Sequence, residues 1–183
     1  MEKYKVTSKK ELRKIILESP VDADLNYLDV SGITSLSALF MKTEFNGDIS
    51  QWDVSNVRDL SWTFSHSKFN GDISKWNVSK VKKMLGTFAK SIFNQDISDW
   101  DVSNVENMVW LFHNSEFSCD VSKWNVNPNA KKGGMFTGSK VTKLPPWYKK
   151  EIPFDPQLLD PEDEFNRVRE YPEDIGKQIF GKK

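Results

Sequence analysis

Phe45–Val57 reads F-N-G-D-I-S-Q-W-D-V-S-N-V, and the string returns at Phe69–Val81 as F-N-G-D-I-S-K-W-N-V-S-K-V and at Phe93–Val105 as F-N-Q-D-I-S-D-W-D-V-S-N-V. A worn copy, F-S-C-D-V-S-K-W-N-V, starts at Phe117. The openings Phe45, Phe69, Phe93 and Phe117 are 24 residues apart, and no insertion interrupts the units through Lys140. One period upstream, Val21, Asp24, Leu28, Val30, Ser31, Leu36 and Phe40 hold the matching places, so a decayed fifth copy begins near Val21. A unit this short cannot bury its own apolar residues; stacked neighbours supply the missing core.

Within a unit the apolar pattern changes character. Ile49, Trp52 and Val54 alternate as a short strand would, whereas Val57, Leu60 and Phe64 follow at i, i+3, i+7 as on a helical face. Ser55, repeated at Ser31, Ser79 and Ser103, stands where an N-cap would, and Ser103 with Glu106 spells a capping box. The expected fold is therefore α/β: a short leucine-rich-repeat-like solenoid of about five 24-residue rungs. A pure β-solenoid is the alternative. Asn127–Gly134 (N-P-N-A-K-K-G-G) replaces the capped start in the last unit, which predicts no regular helix there.

The ends differ from the repeats. Ser8 and Glu11 make a capping-box start for a helix carrying Leu12, Ile15 and Ile16, expected to plug the first rung. Pro145, Pro146, Pro153, Pro156, Pro161 and Pro172 prevent a further ladder, and Asp160-Pro161-Glu162-Asp163 opens a short helix. This predicts a capping helix at 1–20, a repeat array at 21–140, and a proline-rich C-terminal cap and tail at 141–183. The tail is read either as a cap or as a partner-binding segment that orders in a complex.

The repeat resembles the BspA-like leucine-rich-repeat proteins, also known as domain of unknown function 285, whose unit reads F-N-x-D-I-S-x-W-D-V-S-N-V-x-x-M-x-x-M-F. The resemblance spans Val21 to about Tyr148 and includes the closing L-P-P-W-Y at Leu144–Tyr148. It implies binding or adhesion without enzymatic activity, in proteins of bacteria, mycoplasmas and their phages that are frequently surface-exposed. This chain shows neither a signal sequence nor a lipobox cysteine, which leads to the expectation of a cytoplasmic, intracellular or phage-encoded role.

Composition narrows the chemistry. Lysine plus arginine equals aspartate plus glutamate at 26 each, so no net field draws the chain to nucleic acid or an anionic membrane, and neither is expected as a partner. One cysteine, Cys119, excludes an internal disulfide, and His66 and His113 with one thiol do not make an ordinary zinc site. No nucleophile elbow, P-loop, H-E-x-x-H or dinucleotide fingerprint is present, so no enzyme activity and no cofactor are expected.

Two files of residues stand out. Asp24, Asp48, Asp72, Asp96 and Asp120 recur at one position; they suggest calcium, but their place after a turn corner favours Asx turns, and no metal is expected. Asp29, Asp53, Asn77, Asp101 and Asn125, flanked by Tyr27, Gln51, Lys75, Asp99 and Lys123, hold the outward strand positions, the concave face of a leucine-rich solenoid. These ten are the expected partner surface. Trp62 and Trp110 lie off the apolar stripe and are candidate exposed anchors, or else pack against the adjacent turn. Trp52, Trp76, Trp100 and Trp124 are core, and Lys75 with Asp99 and Lys82 with Glu106 should face each other one period apart.

The expected function is non-enzymatic recognition of a protein partner. The alternatives are a bacterial surface adhesin or carbohydrate-binding protein, and a phage-encoded inhibitor of a host defence or regulatory protein. The partner and the oligomeric state are not legible in the residues.

Overall fold

The computed structural model describes residues 3–149. The chain divides into a unit Met1–Lys150 and a unit Glu151–Lys183, so the expectations for the tail, including the helix at Asp160, lie outside the described residues. The first unit opens with strand β1 (Tyr4–Lys5) and helix α1 (Lys9–Glu18), and β1 pairs in parallel with β2 (Leu28–Asp29) in the register Tyr4 to Leu28 and Lys5 to Asp29. Five 24-residue coils follow.

The coils stack one period apart. Parallel bridges run from Ser35 through Asp59, Lys83 and Asn107 to Lys131, one residue from each unit. Beside them the amides of Leu60, Trp62, Phe64 and His66 donate to the carbonyls of Lys83, Leu85, Thr87 and Ala89 at 2.8–2.9 Å. The same four bonds recur from Leu36, Ala38, Phe40 and Lys42, from Met84, Gly86, Phe88 and Lys90, and from Met108, Trp110, Phe112 and Asn114. Asn46, Asn70 and Asn94 add a side-chain ladder, each Oδ1 accepting the amide 24 residues on at 2.7–2.8 Å.

Apart from the two-residue β2 in the first repeat, the expected strand and helix of each unit do not form. In Leu60–Ser67 the alternate amides of Thr63, Ser65 and Ser67 close turns onto Leu60, Trp62 and Phe64, and the others leave for the next coil. Trp62 and His66 have φ of 58° and 55°, as do Ala38 and Lys42, Gly86 and Lys90, and Trp110 and Asn114 at similar values. A left-handed residue every fourth position cannot sit in an α-helix, and at non-glycine residues it costs about 1–2 kcal/mol each. The inter-coil bonds hold that geometry in place. The Ile49–Val54 stretch is likewise a chain of turns, Trp52 to Ile49 and Val57 to Val54. Ser55 and its equivalents are therefore not N-caps, and Glu106 donates its amide to Lys82 O instead of boxing Ser103. The Asn127–Gly134 departure leaves the ladder intact, because the carbonyls of Lys131, Gly133, Met135 and Thr137 still accept.

The inward side chains form aromatic columns. Phe40, Phe64, Phe88, Phe112 and Phe136 stack at 5.2–5.7 Å with interplanar angles of 3–15°. Trp52 stacks on Trp76 at 6.3 Å and 5°. Each buried indole is also tied across the interface, Trp52, Trp76, Trp100 and Trp124 donating Nε1–H to the carbonyls of Leu25, Ile49, Ile73 and Ile97 at 2.9–3.1 Å. The polar atom of each core tryptophan is thereby satisfied without leaving the column.

The first coil has no predecessor to donate to it, and the N-terminal segment takes that role. Tyr4 and Val6 donate their amides to Tyr27 O and Asp29 O at 2.9 and 3.0 Å. On α1, Lys9 Nζ reaches Ser37 O at 3.2 Å, and Arg13, only 7% exposed, donates to the carbonyls of Ala38, Leu39 and Met41. Ser37, Leu39 and Met41 are three of the four carbonyls, with Ser35, that a preceding coil would bond. Ser8 caps α1 as expected, its Oγ accepting from Glu11 N at 3.2 Å, and Leu12 and Ile16 are buried. Glu11 reaches back to Thr7 and to the Tyr4 hydroxyl.

Candidate recognition surface

Each coil turns two aspartate or asparagine positions outward, and all of them but Asn125 use the same local device. Asp24, Asp48, Asp72, Asp96 and Asp120 accept through Oδ1 from the amide two residues on, at 2.8–2.9 Å. Asp29, Asp53, Asn77 and Asp101 do the same with Ser31, Ser55, Ser79 and Ser103 at 3.0–3.1 Å. Such an Asx turn fixes the side chain in place. No group of three or more His, Cys, Asp or Glu suited to a metal ion occurs among the described residues.

These bonds hold seven of the carboxyls, Asp29, Asp48, Asp53, Asp72, Asp96, Asp101 and Asp120, below the usual carboxylate range. The Ser55 hydroxyl and amide lower Asp53, as those of Ser31 and Ser103 lower Asp29 and Asp101. The amides of Ser50, Ser74, Ser98 and Ser122 are the largest cause at Asp48, Asp72, Asp96 and Asp120. Hydrogen bonds to the charged form favour it, so these seven carboxyls stay ionised at neutral pH.

The expected surface residues Tyr27, Gln51, Asp53, Lys75, Asn77, Asp99, Asp101, Lys123 and Asn125 are exposed, and Asp29 is half-buried. Together with the first file they place nine aspartates against two lysines, although the whole chain is neutral. Lys75 lies close enough to Asp72, and Lys123 to Asp96 and Asp120, to lower those carboxyls. Lys82 meets Glu106 at 3.2 Å, as expected, while Lys75 and Asp99 form no ion pair. Tyr4, which the sequence reading missed, brings a second exposed ring beside the exposed Tyr27 through β1; only the pairing of β1 with β2 reveals it.

Trp62 and Trp110 are not exposed anchors. They are 4% and 3% exposed, with ring centroids 6.1 Å apart across the intervening coil. Gly86 makes the contact possible, since a Cβ there would stand 2.1 Å from Trp62 Cζ3. Gly134 makes the same room for Trp110. The remaining singular residues are quiet: burial and Asp96 raise the Cys119 thiol, and burial with Lys90 lowers His113. No helix among the described residues is long and apolar enough to cross a membrane.

The regular aromatic columns, the N-terminal capping helix and the outward polar files define a protein of stacked repeats. Its family follows from two matches to the family model described as Mycoplasma protein of unknown function, DUF285, over residues 10–92 and 34–147. The chain belongs to that family. No curated protein and no solved structure matches it significantly.

Proposed function

We propose that the stacked coils are a short leucine-rich-repeat-like solenoid that acts as a non-enzymatic protein-recognition module. Its partner surface is the outward file Tyr27–Asp29, Gln51–Asp53, Lys75–Asn77, Asp99–Asp101 and Lys123–Asn125. The observation that carries this reading is a division of labour within each coil. The inward columns repeat one residue type, while exposed neighbours change from tyrosine to glutamine, lysine, aspartate and lysine on a backbone held by fixed Asx turns. Rigid presentation of varied side chains lowers the ordering cost of binding. The excess of aspartates selects a partner with a basic surface.

Asparagine keeps the Asx acceptor and removes the charge, as Asn77 already does. Asp53→Asn, Asp99→Asn and Asp101→Asn combined should therefore weaken capture of the partner from a bacterial lysate while leaving the melting temperature in place. Undiminished capture by this triple variant would move the partner surface elsewhere.

A further inference from the structure

The two ends of the coil stack are closed differently. At the N-terminal end the carbonyls of Tyr27, Asp29, Ser37, Leu39 and Met41, which would face a preceding coil, meet donors from β1 or α1. At the other end the places equivalent to Met108, Trp110, Phe112 and Asn114 are Lys132, Gly134, Phe136 and Gly138. Their four predecessors each donate an amide to the next coil, but these four amides have no hydrogen-bond partner among the described residues. The apolar half of this end is covered. Trp147 stacks on Trp124 at 6.3 Å and donates to Val121 O, and Tyr148 sets its edge on Phe136 at 5.1 Å. What has no partner among the described residues is a row of donors.

Along the segment that carries that row the charge has one sign, although Lys143 also faces Asp120 of the preceding coil. From Val126 to Lys149 the chain carries Lys131, Lys132, Lys140, Lys143 and Lys149 and no aspartate or glutamate. Four of these lysines are exposed and Lys132 is half-buried. Donor polarity and charge thus point to the same ligand chemistry. The inner coils also show what such a row reads: four main-chain carbonyls two residues apart. A polypeptide repeats acceptors at that interval. A second copy does not fit, because its carbonyl end is occupied by α1 and its other end presents donors again.

We propose that the amide row of Lys132, Gly134, Phe136 and Gly138 is a docking edge for an acidic, extended segment of a partner protein, added as one more rung through its backbone carbonyls. The surrounding lysines select the acidic sequence and steer it in. This surface is separate from the outward aspartate files and does not depend on them.

The test uses the full chain and a labelled dodecapeptide of alternating threonine and glutamate. Fluorescence anisotropy should detect binding that methylating the peptide's alternate amides leaves intact, because the edge reads carbonyls. Lys131→Glu, Lys140→Glu and Lys143→Glu together should weaken binding by about tenfold or more, whereas Lys68→Glu with Lys90→Glu should change it less than about twofold. Hydrogen exchange gives a second readout: the Gly134, Phe136 and Gly138 amides should exchange fast in the free chain and slow down with the peptide. Their protection in the free chain would show the edge already closed and overturn the proposal. So would an oligothymidylate of equal length binding as tightly as the peptide, since the end would then be an unselective polyanion surface.

Discussion

Replacing Gly86 with alanine tests whether the two tryptophans are packed through the coil between them. Gly86 has φ of 58°, and a Cβ would stand 2.1 Å from Cζ3 and 2.3 Å from Cε3 of Trp62. A left-handed alanine costs about 1–2 kcal/mol, and forcing a methyl group into a filled site about 1–3 kcal/mol more. The loss should be about 2–5 kcal/mol, large against a total stability of about 5–15 kcal/mol. Ala38 holds the same place in the first coil at φ 56°, so the backbone there accepts a Cβ. The steric share belongs to Trp62. In a Trp62→Ala background Gly86→Ala should therefore cost only its backbone share, giving a coupling of about 1–3 kcal/mol. Urea titrations of the four proteins, followed by tryptophan fluorescence at constant m, measure it. A Gly86→Ala loss below about 0.5 kcal/mol, or an equal loss in both backgrounds, would refute the packing argument.

Three other perturbations address separate parts of the structure. Arg13→Met removes the donors to Ala38, Leu39 and Met41 and should cost about 2–4 kcal/mol in the same titration, whereas Lys14→Met, which gives up only an exposed 3.9 Å pair with Glu18, should cost less than about 0.5. Trp100→Phe keeps the ring in its column but leaves Ile73 O without its indole donor, for a loss of about 1–3 kcal/mol, while no loss would mean that water replaces the bond. Thr7 and Tyr4 hold Glu11 down to about 2 from 4.5. A depressed carboxyl contributes stability that is present above its unfolded value and disappears as pH falls through its folded one. The melting temperature should therefore decline between pH 4.5 and about 2, and decline less in Glu11→Gln.

Much of the architecture follows from spacing. The 24-residue period, the tryptophan column and the Asx corners at Asp48, Asp72 and Asp96 are legible because each repeats and each has a local cause. The Ser8 cap is legible for the same reason. Val57, Leu60 and Phe64 misled because i, i+3, i+7 spacing also fits a coil of linked turns that points those three residues inward. Left-handed residues at Trp62 and His66 carry no signature in side-chain type, and only Gly86, Asn114, Gly134 and Gly138 at equivalent places hint at them.

By itself the sequence determined which residues stack, since identical apolar side chains at a fixed period can hide from water only in shared columns. The tertiary structure decided everything that depends on a partner one coil away. The amides of Leu60, Trp62, Phe64 and His66 find acceptors 23 residues later, so their backbone needs no helix. Trp62 and Trp110 are buried because Gly86 lies between them, and Lys9 and Arg13 cap the stack because carbonyls of the first coil lack a preceding neighbour. Local propensity does not encode such bonds; the energy that selects them appears only when the coils are brought together.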